Sequence, residues 1–343
     1  MKDQNVLPGK PAELISGQPK SAAMGLYHYM RVKDPFAADN ADSIEHEVKE
    51  FVRKLKDNAV LLGFLEKAPE DSDKIEAIYG AEQIAKAKDD ISYFKTIARL
   101  PNDATPLNVA AKVSDEVQGN LEYILYQRCS QVYVEGPNAI RDAGRGPVNL
   151  DDFLGHANVQ DAELTEAHVV ALRFYTTPAF KYLNSPLRST FFYDKGKSHP
   201  LPKTVAYISE GIKKLRASYA IKVEAGTATS KLVLWRGLKN MALPKVFLTN
   251  QKGGTELAPM STTTDLSVTT KYACSGESVM LKICLDNFMQ YGADLQWLSA
   301  FPGEEEVLYP PLTYLQPTAR EPQVVQLSTG HKFTVYEVKP TIP

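Results

Sequence analysis

The chain changes its hydrophobic period once, and that single change limits its folds more than any other feature. Up to about residue 217 apolar residues recur at three- and four-residue spacing. From Lys231 onward they gather in short runs bounded by Gly, Pro and Asn. Helices first and strands later specify an α+β arrangement, because alternating βαβ units would interleave the two patterns. Strands are expected at Lys231–Trp235, Met260–Thr263, Val279–Leu285, Glu306–Tyr309, Val324–Leu327 and Phe333–Val338. Ser328-Thr-Gly-His is a hairpin signal joining the last two. Helices are expected at 43–62, 74–99 and 107–134, the first two opened by capping boxes at Asp42/Glu45 and Asp73/Glu76. A Gly-, Pro- and Asn-rich stretch from Gly136 to Gly155 reads as a linker or long loop. Thr165 then caps a further helix, with Leu164 placed to staple onto Val169, and another helix follows at about 203–217. The expected division is a helical N-terminal module, 1–155, and a mixed domain, 156–343.

Composition narrows the partners. With 43% hydrophobic and 23% charged residues in 343, the chain has the makings of a soluble globular protein. No apolar run approaches the ~20 residues a membrane helix needs. The first twenty residues carry no hydrophobic signal core, so a cytoplasmic location is expected, with export as an effector left open. Three cysteines at scattered positions suit buried thiols in a reducing compartment rather than a disulfide frame or a zinc site. The first 160 residues are net acidic and the remainder net basic. That mild basicity suits an anionic ligand such as a dinucleotide, but no basic-aromatic pattern points to nucleic acid. No glycine-rich phosphate loop follows a strand, which argues against Rossmann and P-loop sites.

Chemistry gathers in the strand-rich half. Phe301-Pro-Gly-Glu-Glu-Glu-Val-Leu-Tyr runs from a turn signal into a short strand. Glu304 and Glu306 are two apart, so an extended backbone would send both carboxylates to one face. Like charges this close need a cation, a donor or a developing positive charge to answer them. Read alone, the triplet is an acidic surface turn. Upstream stand Leu234-Trp-Arg236-Gly-Leu and Met260-Ser261-Thr-Thr-Thr. Read alone, Arg236 is a structural ion-pair arginine and Ser261 a strand-edge serine.

Taken in order, an aromatic-Arg-Gly strand, a Ser-Thr-Thr strand and a Glu-x-Glu turn leading into Val-Leu resemble the Arg-Ser-Glu class of mono-ADP-ribosyltransferases. That class includes the cholera-type and vertebrate arginine-specific enzymes. The likeness covers roughly 160–340, with Phe301-Pro-Gly similar to the family's substrate-recognition turn and Asp265 to Ala273 to the helix after its serine strand. The resemblance implies a two-sheet β core around an NAD cleft, NAD as co-substrate, no metal, and an arginine-bearing protein as acceptor. Arg236 would hold the pyrophosphate and Gly237 would let backbone approach the nicotinamide amide. Ser261 would orient glutamate and ribose, with Thr262 and Thr263 beside it. Glu306 would accept the ribose 2′-hydroxyl and stabilise the oxocarbenium-like cation, while Glu304 and Phe301 would recognise the acceptor. The class shows glutamate at the position of Glu304 for arginine acceptors and glutamine for asparagine ones. Ser-Thr-Thr replaces the family's Ser-Thr-Ser, and tryptophan precedes the arginine where tyrosine or phenylalanine is commoner. Tyr175 and Asn184 resemble a cleft-lining segment; alternatively they are a helix-end aromatic and a helix cap. Trp235 and Trp297 are either ligand-stacking or core, and His168 reads as structural. The implied activity is transfer of ADP-ribose to arginine. An NAD glycohydrolase and a catalytically silent module of the same fold are the alternatives.

Overall fold

The computed structural model describes residues 119–126, 134–188, 201–228 and 232–343, apart from gaps at 136–138, 146–147, 240–242, 244, 249–250, 252, 274–277 and 327–331. The helices expected at 43–62 and 74–99, and most of that expected at 107–134, lie outside these residues. Of the described residues, those up to Gly211 form one compact unit and those from Ile212 onward another. Among the described residues no helix is long and apolar enough to cross a membrane.

The first unit is mainly helical. Residues 119–126 are helical, in line with their periodicity, but Val134 belongs to a two-residue strand, β1 (Val134–Glu135), paired with β2 (Ala139–Ile140). The segment that reads as a linker is partly helical as well. Asn149 and Asp152 each accept the other's backbone N–H, at 3.1 and 2.8 Å, and this reciprocal cap starts the helix Leu150–Leu154. Composition hid that helix because its capping residues are also the usual loop residues. The segment is also anchored. Asp142, itself left-handed at φ 53°, takes the wholly buried Arg173 at 2.8 Å, Arg145 at 2.7 Å and the Tyr123 hydroxyl. Removing one partner from such a buried cluster leaves a charge without its counter-ion, which is costly.

Helix Glu166–Tyr175 begins at Thr165 as its sequence predicts. His168 accepts the Thr165 N–H at 3.1 Å and lies 2.7 Å from its hydroxyl, so it works as part of the helix start. The following helix, Phe180–Arg188, is not legible in the periodicity. Pro178 and Pro186 punctuate the pattern; Pro186 falls in the last turn, so its missing N–H costs one intrahelical bond without cutting the helix in two.

In the second unit nine strands form one hydrogen-bonded sheet, with β3 Val233–Lys239, β4 Gly254–Glu256, β5 Met260–Thr263, β6 Ser278–Cys284, β7 Ala293–Asp294, β8 Glu306–Tyr309, β9 Thr313–Pro317, β10 Gln323–Gln326 and β11 Lys332–Thr341. The order is β4-β9-β11-β6-β3-β5-β8-β7, and β10 pairs with β11 as the hairpin signal predicts. Two separate sheets are expected, and here the ladder is continuous. The join is slight: β3 meets β5 at one register pair, Trp235↔Thr263. The sheet therefore consists of a long part ending at β3 and a three-stranded part, β5-β8-β7, hinged at that pair. Most pairs in the sheet are antiparallel, but β11 runs parallel to β6. Strands β4, β7 and β9 are absent from the sequence reading; the first two are too short for an alternation and the third is bracketed by prolines. The core collects Leu234, Phe247, Met260, Ile283, Tyr309, Leu315 and Val338.

Candidate active site

The weak join between β3 and β5 creates the site. Expected to end at Trp235, β3 instead continues to Lys239, so Arg236 and Gly237 lie within the strand, opposite Leu281 and Met280 of β6. Beyond Trp235↔Thr263 the ladder toward β5 stops, and the Arg236 side chain takes its place. Nη1 of Arg236 donates to the Ser261 carbonyl at 2.6 Å. Nη2 stands 3.7 Å from Glu256 at the end of β4. Glu256 is buried and its other oxygen accepts the Ala258 N–H at 3.1 Å. A buried carboxylate beside a guanidinium fixes the orientation of a fork suited to phosphate oxygens. Glu256 escapes the sequence reading; its one signal is a solitary acid entering the apolar run Leu257-Ala-Pro-Met.

Ser261 and Glu306 come together across β5 and β8. The register pairs Ser261 with Leu308 and Thr263 with Glu306, so Ser261 and Glu306 share a face as diagonal neighbours. Their side chains are hydrogen-bonded. Glu306 is 5% exposed, and burial lifts its carboxyl to about 7 against the pull of Ser261 and Arg236; Glu304 adds to the rise by repulsion. The other β5 hydroxyls hold backbone. Thr262 donates to the Val307 carbonyl at 2.7 Å, and Thr263 accepts the Asp265 N–H at 2.9 Å at the start of helix Leu266–Ala273. That helix lies where Asp265 to Ala273 predicts it.

The acidic turn differs from expectation. An extended backbone through Glu304 and Glu306 is predicted, but Pro302–Glu304 is one turn of 3-10 helix and Glu305 is left-handed at φ 45°, ψ 49°. Pro302 has its φ preset for a turn, and Gly303 offers no resistance, so the turn runs on into Glu304 before reversing at Glu305. A left-handed glutamate costs about 1–3 kcal/mol, a strain typical of functional sites. The two carboxylates are nonetheless close enough for Glu304 to act on Glu306. Phe301 caps the turn, half-buried, its N–H donating to the Ser299 hydroxyl at 3.0 Å and its carbonyl accepting from Glu304 at 3.0 Å.

Trp235 packs against Met280, Phe333 and Val335. Tyr175 and Asn184 belong to the helical unit, where Asn184 Nδ2 donates to the Tyr175 hydroxyl at 3.1 Å and both are buried. Tyr175 ends one helix and Asn184 lies in the middle of the next, so this bond ties the two helices together.

A model of the ADP-ribosyltransferase exoenzyme family matches residues 154–335, more than half of the chain. The chain belongs to that family. ADP-ribosyltransferases take ADP-ribose from NAD, so NAD is the co-substrate of this one, and the mixed helix-and-sheet fold is the family's. Among solved structures, the chain is similar to the ADP-ribosyltransferase HopU1 of Pseudomonas syringae pv. Tomato, at 17% identity over 58% of this chain and 90% of that one, with a TM-score of 0.40. Plx2a, an ADP-ribosyltransferase toxin from Paenibacillus larvae, gives 16% identity, coverage of 56% and 94%, and 0.38. The Clostridium limosum C3 exoenzyme gives 18%, 58% and 98%, and 0.36. No curated protein sequence matches.

Proposed function

We propose that this ADP-ribosyltransferase modifies an arginine of a target protein. The observation that supports this reading is a second, partly exposed carboxylate, Glu304, beside the buried Glu306. In the proposed cycle Arg236 holds the NAD pyrophosphate and Gly237, with no side chain, lets backbone reach the nicotinamide amide. Ser261 orients Glu306, Thr263 stands opposite Glu306 on that same face, Thr262 holds the Val307 carbonyl on the other face, and Tyr175 and Asn184 are assigned to NAD as the family resemblance implies. The bond from ribose C1′ to the nicotinamide nitrogen breaks, its electron pair leaving with neutral nicotinamide. Glu306 accepts the 2′-hydroxyl and stabilises the cation at C1′. A guanidine nitrogen, positioned by Glu304 and Phe301, attacks C1′, and Glu304 takes its proton before passing it to solvent. Carboxylate contact is what a group of pKa above ~12 needs to become nucleophilic. Residues 156–343 carry this chemistry in the proposal, and 1–155 bind the target or regulate access.

The test separates the two glutamates. Glu304→Gln is expected to keep NAD hydrolysis within about threefold while transfer to agmatine falls by about 10²-fold, the scale of a lost general base. Chromatography of ADP-ribosyl-agmatine and free ADP-ribose measures both. Equal losses in both products would refute the assignment of Glu304 to the acceptor.

Titration of Glu306 sets a pH dependence. Stabilising the cation requires the carboxylate, and Glu306 is protonated below about 7. Therefore kcat/KM for NAD hydrolysis should rise with pH and level off above about 7, since that ratio reports the free enzyme. A flat profile between pH 5 and 8 would contradict the role of Glu306.

A further inference from the structure

The Glu304–Glu306 pair needs a fixed spacing, and its two members are held differently. Glu306 is anchored by the β5–β8 ladder and by Ser261. Glu304 lies outside that ladder, in the 3-10 turn, and is joined to Glu306 through the left-handed Glu305. The Glu305 carboxylate accepts a hydrogen bond from the Thr264 hydroxyl, one residue beyond the end of β5. Within β5 Thr262 faces the side opposite to Ser261, and Thr264 follows in the bend just beyond the strand. Thr262 grips the Val307 carbonyl and Thr264 grips Glu305, so β5 and the bend after it hold the acidic segment at two points. The turn itself adds the Glu305 N–H on the Pro302 carbonyl at 3.3 Å, a long bond that holds loosely.

We propose that Thr264 and Glu305 form a latch that positions Glu304 relative to Glu306, and so sets how NAD turnover divides between transfer and hydrolysis. Both are positioning residues: neither need touch NAD or the acceptor. The carboxylate of Glu305 keeps its own backbone left-handed, and that conformation places the 3-10 turn. Releasing the latch lets Glu304 drift while Glu306 stays in its ladder. Acceptor attack then suffers and cleavage of NAD does not. The proposal rests on the arginine-transfer reading.

The experiment uses the full chain with NAD and agmatine, and reads the ratio of ADP-ribosyl-agmatine to free ADP-ribose, KM for each substrate, and Tm. Thr264→Val and Glu305→Gly each remove the latch, the second while leaving a residue at ease in the left-handed region. Both are expected to lower the product ratio about tenfold and raise KM for agmatine, with KM for NAD and total nicotinamide release within about twofold, since small displacements strongly penalise attack. Thr264→Ser, which keeps the hydroxyl, restores the ratio. A product ratio equal to wild type in both latch variants overturns the latch. So does a proportional fall in both products with a rise in KM for NAD, which marks a merely structural role. Wild-type protein that cleaves NAD but leaves agmatine unmodified overturns the arginine reading itself, a result distinct from either.

Discussion

Glu306→Gln is expected to lower NAD cleavage by about 10²–10³-fold while leaving the protein folded and able to bind NAD. The magnitude is that of removing one preorganised electrostatic partner from a developing charge. Glutamine preserves the shape and can still meet Ser261, so the loss isolates the negative charge. The same substitution changes stability in the opposite sense. An unfolded glutamate titrates near ~4.3, while folded Glu306 titrates at about 7. The stability belonging to its protonated form is fully present below the unfolded value and is lost as pH rises through the folded one. Glutamine cannot ionise, so above pH 7 the variant should melt at or above the wild-type temperature. Nicotinamide release and thermal melts at pH 5 and 8 check both halves. Retained cleavage, or a variant that melts lower at pH 8, would contradict this account of Glu306.

Arg236→Ala is expected to weaken NAD binding by about 10- to 100-fold, the worth of charge-assisted hydrogen bonds to phosphate. It should also destabilise the fold, because Glu256 loses its neighbouring guanidinium while remaining buried. Breaking a buried ion pair by removing one member costs up to about 3–5 kcal/mol. The double variant Arg236→Ala with Glu256→Gln separates the effects, recovering the melting temperature but not the affinity. Arg236→Lys keeps the charge but loses the planar fork, and should bind NAD more weakly than wild type. Isothermal titration with NAD and thermal melts decide the outcome. NAD binding unchanged in Arg236→Ala would remove Arg236 from the site.

Legibility in the sequence followed the range of each interaction. Strands β5, β6 and β8 were readable because each is a short run of strand-forming residues between turn residues, buried along most of its length, and Thr165 announced its helix by a local cap. Helix Leu150–Leu154 was hidden because Asn149 and Asp152, which start it, also look like loop residues. Pairings made across the sheet left no local trace. The one-residue join at Trp235↔Thr263 is invisible in either strand alone, yet it frees Arg236 to reach the Ser261 carbonyl. Glu256 was overlooked for the same reason: its meaning depends on Arg236, twenty residues upstream on another strand. The left-handed Glu305 was missed because a run of three glutamates looks extended until Thr264 is brought beside it.

The measurement that bears most directly on the central claim is incubation of the purified full chain with NAD and agmatine, with products weighed by mass spectrometry. A new species with the mass of ADP-ribosyl-agmatine, formed with an equal amount of nicotinamide, is the predicted result. Free ADP-ribose and unmodified agmatine would contradict arginine transfer.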